Sequence, residues 1–427
     1  MDQVSRPTVD LHCPNEIVVE RDHVRSVIHE LPDFGVKVTE SQEDLRLGLA
    51  RLKLDGAAAT TELASADVPV GDNVRAYWTG ALKSIHALGG PEPTNLDVFL
   101  EALRSRFAGL DGGWRPTIGK NRDFWDIEGL PYISGGGSPS KVPEPAEQPT
   151  PTQRGYDTSA PLGAGIRVGI ADTPIFPSPA LAGHYVDYGT GFDPDGKLGP
   201  AAGHATFIAG LVLQRAPRAV LIVQPVLDLA AHRSSWDLAT GLMTFLDTDR
   251  RVDVLPLAFG TYSRDGRPPL VLTRAMERLA PYTVVLAAAG NHGEEKEPEE
   301  VEPGQLSRRT ATYPAAIDGV CAVAAAKDYG GTLASFTPPA LPWMQLAAPG
   351  QNVQSLYLDG NVLLRSTDTE PTPFKGWARW SGSSFAVATV AGEIARRASQ
   401  GQPAREALND ILAGNAESTG IYPVHAP

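Results

Sequence analysis

The feature that most constrains the fold is a series of short, nearly continuous apolar runs in the C-terminal part of the chain. The runs are Ile166–Ala171, Val220–Val223, Val252–Leu257, Val284–Ala288 and Val320–Ala324, and the segments Trp236–Leu246 and Leu270–Leu279 between them have helical spacing of apolar residues. Strands that lack polar alternation are buried on both faces, which is typical of a parallel sheet covered by helices. The sequence therefore predicts an α/β fold with a central, mostly parallel sheet.

A segment rich in proline and glycine divides the chain of 427 residues. Glycine removes steric restriction and proline interrupts regular hydrogen bonding, so we expect a linker at residues 134–154. Residues 155–427 then form the α/β domain, and residues 1–133 form a smaller α+β module. In the module we expect strands at Glu16–Glu20, Gly35–Thr39 and Leu45–Leu54, and helices at His23–Leu31, Val74–Leu88 and Leu96–Phe107.

Charge and composition exclude several classes of partner. The chain has 37 Lys and Arg against 50 Asp and Glu, a net charge of −13, and phosphate binding needs a basic patch, so we expect no nucleic-acid partner. No apolar run approaches the ~20 residues that a membrane span needs, so no membrane is expected. The start, Met1–Pro7, lacks the pattern of a secretory signal, which predicts a cytoplasmic protein. Cys13 and Cys321 suggest neither a disulfide framework nor a metal site, and no cofactor is expected.

Three short segments carry side chains that are used in hydrolytic chemistry. Asp172 follows the first apolar run, where open α/β sheets place their sites. His204 lies among small residues ahead of an apolar stretch, and Ser384 follows a Gly-Ser turn at the start of an Ala-rich helix. A serine at a helix N-terminus lies beside N–H groups that can bind a developing oxyanion. Taken singly, each residue has a commoner structural explanation, such as a turn, a core histidine or a helix cap.

Taken together, Asp172, His204 and Ser384 have the chain order of the triad in subtilisin-like serine peptidases, and the sequence resembles that family. A fourth segment fits the resemblance, because Asn291 follows an Ala/Gly-rich run as the oxyanion asparagine of the family does. The resemblance covers about residues 165–398. It implies a subtilisin-like three-layer fold and a serine endopeptidase, with Ser384 as nucleophile, His204 as general base, Asp172 as the group that orients it, and Asn291 in the oxyanion hole.

The resemblance also implies a substrate cleft. An extended peptide would pair with one backbone segment, and that segment and a second one would wall the pocket for the residue before the cut. These residues are Leu257, Ala258, Phe259 and Gly260, followed by Ala287, Ala288, Ala289 and Gly290. Because they are small or apolar and include no acid, we expect an apolar or medium-sized residue there rather than Lys or Arg. The chain departs from the usual residues of the family at Ala205, Ser383, Phe385, Ala388 and Thr389, which bears on the shape of the cleft.

Two alternatives stay open at this point. Residues 1–133 are either a propeptide, which assists folding and then inhibits, or a retained module that recognises a substrate or dedicated partner; the missing signal favours the retained module. The chain is either a peptidase with a restricted protein or peptide substrate, or a catalytically silent scaffold that binds peptides or partner proteins. Retention of Asp172, His204, Asn291 and Ser384 favours the enzyme.

Overall fold

The computed structural model describes residues 12–55, 72–87, 92–126, 142–149, 161–193, 197–263, 266–301, 305–365 and 368–424. The segment Met1–Pro7 and most of the expected linker, residues 134–141 and 150–154, lie outside this part of the chain. Among the described residues, no helix has both the length and the apolar character that crossing a membrane requires.

In the part of the chain that the structure describes, the N-terminal module consists of an antiparallel sheet and three α-helices, which confirms its predicted α+β class. Its strands lie in the order β4-β1-β3-β2. The strands are β1 (His12–Glu20), β2 (Lys37–Asp44), β3 (Leu49–Asp55) and β4 (Ile118–Asp126), and the helices are α1 (Val24–Glu30), α2 (Asp72–Ala87) and α3 (Asn95–Leu110). Side chains alternate across a strand, and Ile17 and Val19 accordingly join the core of the module, whereas Val18 joins the core of the C-terminal domain.

The turn between β2 and β3 differs from the expected strand at Leu45–Leu54. The carboxylate of Asp44 accepts hydrogen bonds from the backbone N–H groups of Arg46 and Leu47 (2.8 and 3.0 Å), and Gly48 has a φ of +67°. Local side-chain bonds of this kind compete with strand pairing. The third strand of the module therefore begins at Leu49, four residues later than its apolar pattern.

An eight-stranded sheet forms the centre of the C-terminal domain, in the order β17-β14-β13-β12-β10-β6-β8-β7. All neighbouring strands are parallel except β14 and β17, which confirms the prediction of a mostly parallel sheet. The strands beyond the module are β5 (Glu144–Pro145), β6 (Arg167–Asp172), β7 (Tyr185–Asp187), β8 (Val220–Pro225), β9 (Arg233–Ser234), β10 (Val254–Leu257), β11 (Phe259–Gly260), β12 (Val284–Ala288), β13 (Cys321–Ala326), β14 (Met344–Pro349), β15 (Val353–Val362), β16 (Thr372–Trp380) and β17 (Tyr422–Pro423).

Two pairs of helices flank this sheet. They are α4 (His204–Arg215) with α7 (Ser383–Ala398), and α5 (Ser235–Leu242) with α6 (Leu270–Leu279); α8 (Ala404–Leu412) packs against α7. The apolar runs of the sequence all lie in this sheet, and Cys321 is a buried member of its core, as expected of a small hydrophobe. Burial raises the pKa of the Cys321 thiol to about 12, so this thiol stays protonated at neutral pH.

A third sheet contains part of the expected linker. Strand β16 pairs with β15 on one side and with β5 on the other, where Pro145 lies opposite Ala378. The side chain of Gln354 donates a hydrogen bond to the carbonyl of Glu147 (2.6 Å). Proline is tolerated at the edge of a sheet because its missing N–H faces away from the partner strand. Residues 142–149 are therefore bound to the C-terminal domain.

Candidate functional site

Asp172 and His204 form a hydrogen-bonded pair at the carboxyl edge of the central sheet. Asp172 ends β6 and His204 begins α4, directly after a short 3-10 turn at Pro200–Gly203. The imidazole Nδ1 lies 2.8 Å from Asp172 Oδ1, and the residues are only 6% and 1% exposed. Because a carboxylate can only accept, the pair fixes the proton on Nδ1 and leaves the lone pair of the neutral ring on Nε2.

The backbone around this pair is adapted to its close packing. Asp172 Oδ1 also accepts the backbone N–H of Thr173 (2.8 Å), whereas Oδ2 is buried and has no hydrogen-bond partner among the described residues. A Cβ on Gly203 would overlap the ring of Tyr357 on β15, so glycine is required where the chain enters α4. The hydroxyl of Tyr357 donates to the carbonyl of Pro200 (2.6 Å) and fixes this approach.

Aromatic side chains enclose the imidazole of His204. The Trp380 ring meets it edge-on with ring centroids 5.6 Å apart, and the Phe385 ring lies 5.7 Å away. Phe207 packs against both aromatic rings. Phe385 stands where the resembled family usually has Met, and here it completes this cluster. Trp380 could not be identified as a site residue from the sequence, where its only signal is an aromatic residue just before the Ser-Gly turn that leads to Ser384.

Ser384 lies in the first turn of α7, where helical N–H groups have no acceptor within the helix. Its side chain is buried, and its Oγ donates a hydrogen bond to the backbone carbonyl of Ala258 (3.0 Å). The next residue, Phe385, contacts the His204 ring. The structure therefore brings Ser384 to the same sheet edge as the Asp172–His204 pair, with its hydroxyl directed at Ala258.

Asn291 is locked to the start of α7 by hydrogen bonds. Its Oδ1 accepts the backbone N–H of Ser383 (2.8 Å), and Ser383 Oγ accepts the backbone N–H of Gly290 (3.2 Å). Since a backbone N–H can only donate, the amide orientation follows from the network, and Nδ2 is the end directed away from Ser383. Nδ2 lies 3.7 Å from the position that a Cβ on Gly382 would occupy, so this donor faces the turn before Ser384.

The two segments expected to bind substrate lie side by side next to Ser384. Leu257 ends β10 opposite Ala287 of β12, and all eight expected residues are buried. Beyond these strands, Phe259 and Gly260 form β11, which pairs antiparallel with β4 of the N-terminal module. Strand β4 also pairs with β9. The backbone edge that was expected to receive a peptide therefore already carries an added strand.

Comparison with known proteins places these residues in a family. The family model described as Subtilase family (peptidase S8) matches residues 163–418. A thermostable alkaline protease of Halalkalibacterium halodurans is 29% identical over 222 residues, which cover 50% of this chain and 55% of that protein. The chain thus spans little more than half the length of this curated relative.

Among solved structures, a lanthipeptide protease matches with a TM-score of 0.44 at 20% identity, covering 58% of this chain and 78% of that one. A mutant of the protease domain of PatA matches with a TM-score of 0.45 at 21% identity, covering 58% and 86%. The family model matches more than half of the chain and includes Asp172, His204, Asn291 and Ser384, so the chain belongs to the subtilase family.

Proposed function

We propose that the chain is a serine endopeptidase that hydrolyses peptide bonds with Ser384 as nucleophile, His204 as general base and Asp172 as the group that orients the imidazole. The observation that carries this proposal is the meeting of the buried Asp172–His204 pair with the N-terminus of α7 at one edge of the sheet. Membership of the subtilase family supports it, because the three residues have the triad order.

The first step would be a rotation of the Ser384 side chain. In the structure its hydroxyl donates to Ala258 O, and rotation about χ1 would redirect it toward Nε2 of His204. Catalytic hydrogen bonds commonly tighten only when substrate is bound. The same rotation would release Ala258 O to accept an N–H from a peptide lying along β11, so substrate binding and alignment of the nucleophile would favour each other.

The charge that develops during attack would be stabilised from two sides. The imidazolium would form beside the buried carboxylate of Asp172, which neutralises it without moving. The oxyanion would be met by Nδ2 of Asn291 and by the backbone N–H of Ser384 at the start of α7. The amide group of Asn291 is already held by the N–H of Ser383, and Ser383 by the N–H of Gly290, so little reorganisation of the Asn291 donor would accompany the reaction.

Replacing Asn291 by Asp should lower kcat by about 10²–10³-fold, because the donor to the oxyanion is lost. Asp is the matched substitution, since it removes the donor but keeps an oxygen that accepts the Ser383 N–H. Asn291→Ala removes both the donor to the oxyanion and the acceptor for the Ser383 N–H. Steady-state hydrolysis of a peptide anilide gives kcat and KM for each variant, and KM should change little. An Asn291→Asp enzyme with the kcat of the unchanged protein would exclude Asn291 from the oxyanion hole.

We also propose that the N-terminal module inhibits the peptidase by occupying its cleft. Support comes from β4, which pairs with Phe259 and Gly260 in antiparallel register through Asp126 and Trp125. An extended peptide would need the same backbone edge. Of the two roles left open by the sequence, this favours the propeptide-like one over a retained recognition module, and cleavage of the chain between residues 127 and 141 would release the inhibitor.

Specific contacts hold the module on helices α5 and α6. Glu20 of β1 forms a two-pronged ion pair with Arg274 of α6 (2.6 and 3.0 Å). The side chain of Asn121 accepts hydrogen bonds from Ser235 Oγ and from the backbone N–H of Trp236, both at 2.9 Å. Apolar residues of the module, namely Val18, Leu47 and Leu49, pack into the core of the C-terminal domain. The interface thus combines apolar burial with oriented polar contacts.

Breaking the ion pair with Arg274→Met should speed the hydrogen–deuterium exchange of β4 by about five- to tenfold. This is the range expected for the loss of a charge-assisted but partly exposed contact. The measurement is hydrogen–deuterium exchange of β4 in the full-length chain carrying Ser384→Ala, which prevents self-cleavage. Arg46→Met is the control, because the ion pair of Arg46 with Asp247 at the same interface is longer (3.5 Å) and more exposed. Equal exchange of β4 in both variants would contradict the assigned role of Arg274.

The Glu20–Arg274 contact also predicts a pH dependence. The hydrogen bond from the Arg274 guanidinium holds the pKa of the Glu20 carboxyl below its ordinary value of 4.5. A carboxyl group whose pKa is lowered in the folded protein stabilises the fold at pH values above its ordinary pKa. That stability is lost as the pH falls through the lowered pKa. Acidification below pH 4.5 should therefore increase β4 exchange, corrected for intrinsic rates, more in the parent chain than in Arg274→Met.

A restricted substrate is part of the proposal. A cleft that the chain itself closes would admit only substrates that can compete with β4 or that arrive after the module leaves. Rapid digestion of unfolded casein by the uncleaved, full-length chain would contradict both restriction and inhibition. The alternative of a catalytically silent scaffold predicts that Ser384 does not react with a fluorophosphonate even after the module is removed.

A further inference from the structure

Thr312 fills the gap between the two segments beside Ser384. A Cβ on Gly260 would lie 2.6 Å from Thr312 Cγ2, and a Cβ on Gly290 would lie 2.7 Å from Thr312 Oγ1. Both distances are far shorter than a van der Waals contact, so the Thr312 side chain touches both segments. It is 1% exposed, and its Oγ1 donates to the carbonyl of Ala289 (3.0 Å), which fixes its orientation.

Tyr262 and His292 close the same region from the sides. Tyr262 follows Gly260 along the first segment, and His292 follows Asn291 in the second. The Tyr262 hydroxyl lies 3.0 Å from His292 Nδ1, and His292 Nε2 donates to the carbonyl of Thr310 (2.9 Å). Since that carbonyl can only accept, Nε2 carries the proton and Nδ1 of the neutral ring accepts from Tyr262. Both side chains are buried.

The contacts at Gly290 show that little space is left between the two segments. Its φ of +102° favours glycine, and a Cβ at this position would also lie 2.7 Å from His292 Nδ1. The floor between the segments is thus formed by Thr312, Tyr262 and His292. These three side chains carry no negative charge that could pair with a cationic residue.

We propose that Thr312, supported by the Tyr262–His292 pair, restricts the pocket before the cut to Gly, Ala or Ser; this inference rests on the proposed peptidase function. A Leu or Phe side chain could enter only by displacing Thr312 and breaking its hydrogen bond to Ala289. A Lys or Arg side chain would meet no acid among these three buried side chains, and burying an unpaired charge is costly. This set of side chains is smaller than the range of apolar or medium-sized side chains expected from the sequence.

The test uses the chain after cleavage between residues 127 and 141, because the uncleaved chain is expected to be inhibited. It compares this cleaved chain with three Thr312 variants treated in the same way, on peptide anilides that differ only in the residue before the cut: Ala, Leu, Phe or Lys. A fluorophosphonate titration first gives the concentration of reactive sites. We expect kcat/KM for Ala to exceed that for Phe by about 100-fold, within the range of steric discrimination by a pocket. Thr312→Gly should reduce this ratio by about tenfold or more, because it empties the gap.

Two further variants separate volume from hydrogen bonding. Thr312→Ser keeps the donor to Ala289 but removes the methyl group near Gly260, so the Ala-to-Phe ratio should fall severalfold. Thr312→Val keeps the branched shape but removes the donor to Ala289, so a large side chain should displace it more easily and the Ala-to-Phe ratio should fall, but by less than in Thr312→Gly. Equal rates for Ala and Phe in the parent enzyme, or an unchanged ratio in Thr312→Gly, would overturn the inference. A chain that, even after cleavage between residues 127 and 141, neither reacts with the fluorophosphonate nor cleaves any anilide would instead overturn the proposed function itself.

Discussion

Ser384→Ala should lower kcat by about six orders of magnitude, the loss known for removal of the nucleophile in the subtilisin reference case. The variant should fold normally, because it loses only one hydrogen bond, from Oγ to Ala258 O. Rates are best followed with a fluorogenic peptide over long incubations, and peptide binding to the inactive variant should persist.

The neighbouring serine provides a matched control for this substitution. Ser383 is also buried in the first turn of α7, but its Oγ accepts the N–H of Gly290 and holds the Asn291 loop. Ser383→Ala should therefore cost about 1 kcal/mol of stability and a modest part of kcat. A larger loss of kcat in Ser383→Ala than in Ser384→Ala would show that the nucleophile has been assigned to the wrong serine.

Asp172→Asn should lower kcat by about 10⁴-fold, as the same change does in a serine protease triad. Asn keeps the shape of the side chain, but the amide can donate to Nδ1 and so favours the tautomer that protonates Nε2. The imidazole then no longer presents a lone pair to the hydroxyl of Ser384. Asp172 Oδ1 lies 2.8 Å from Nδ1 in this buried pair, so the amide group of Asn would take the same position beside the imidazole.

Asp187→Asn is the control for this second prediction. Asp187 also ends a strand of the central sheet, but its carboxylate accepts the N–H of Gly189 (2.8 Å). Its substitution should leave kcat within about twofold, as is usual for surface changes away from a site. If kcat for Asp172→Asn fell no further than for Asp187→Asn, the orienting role of Asp172 would be refuted.

The central sheet could be predicted because its strands are buried on both faces. In Val284–Ala288, for example, every residue is apolar and every residue is buried, so the strand is visible without knowledge of its neighbours. Helix Leu270–Leu279 has the bounds expected from its apolar spacing. The candidate site follows from the same topology, because carboxyl ends of parallel strands meet at one edge, where Asp172 and Asn291 come close to the helices that begin with His204 and Ser383.

Features that depend on contacts between distant segments could not be predicted. Strand β4 has the polar run Lys120–Arg122, which looks unlike a buried strand. These residues can be buried because their polar groups have partners elsewhere in the chain. Lys120 forms an ion pair with Asp97 (2.7 Å), and Asn121 accepts a hydrogen bond from Ser235. The pairing of β4 with Phe259 and Gly260 was therefore hidden in the sequence.

The β15–β16 hairpin and the contacts of Thr312 could not be predicted for the same reason. Trp380 matters because its ring meets His204, and Thr312 matters because two glycines lie beside it. The positions of this tryptophan and this threonine in the sequence do not show that one lies beside His204 and the other beside two glycines. Part of the expected linker likewise binds β16, because an unpaired sheet edge accepts an extended segment almost irrespective of its side chains.

Covalent labelling followed by peptide mapping decides whether Ser384 is a nucleophile that His204 activates. The full-length chain is incubated with a fluorophosphonate until labelling is complete, and the modified residue is identified by mass spectrometry, with His204→Ala as a second sample. We expect one phosphonyl group per chain, located on Ser384, and labelling that is greatly slowed in His204→Ala. Modification of a different residue, or equal labelling rates in the two samples, would contradict it.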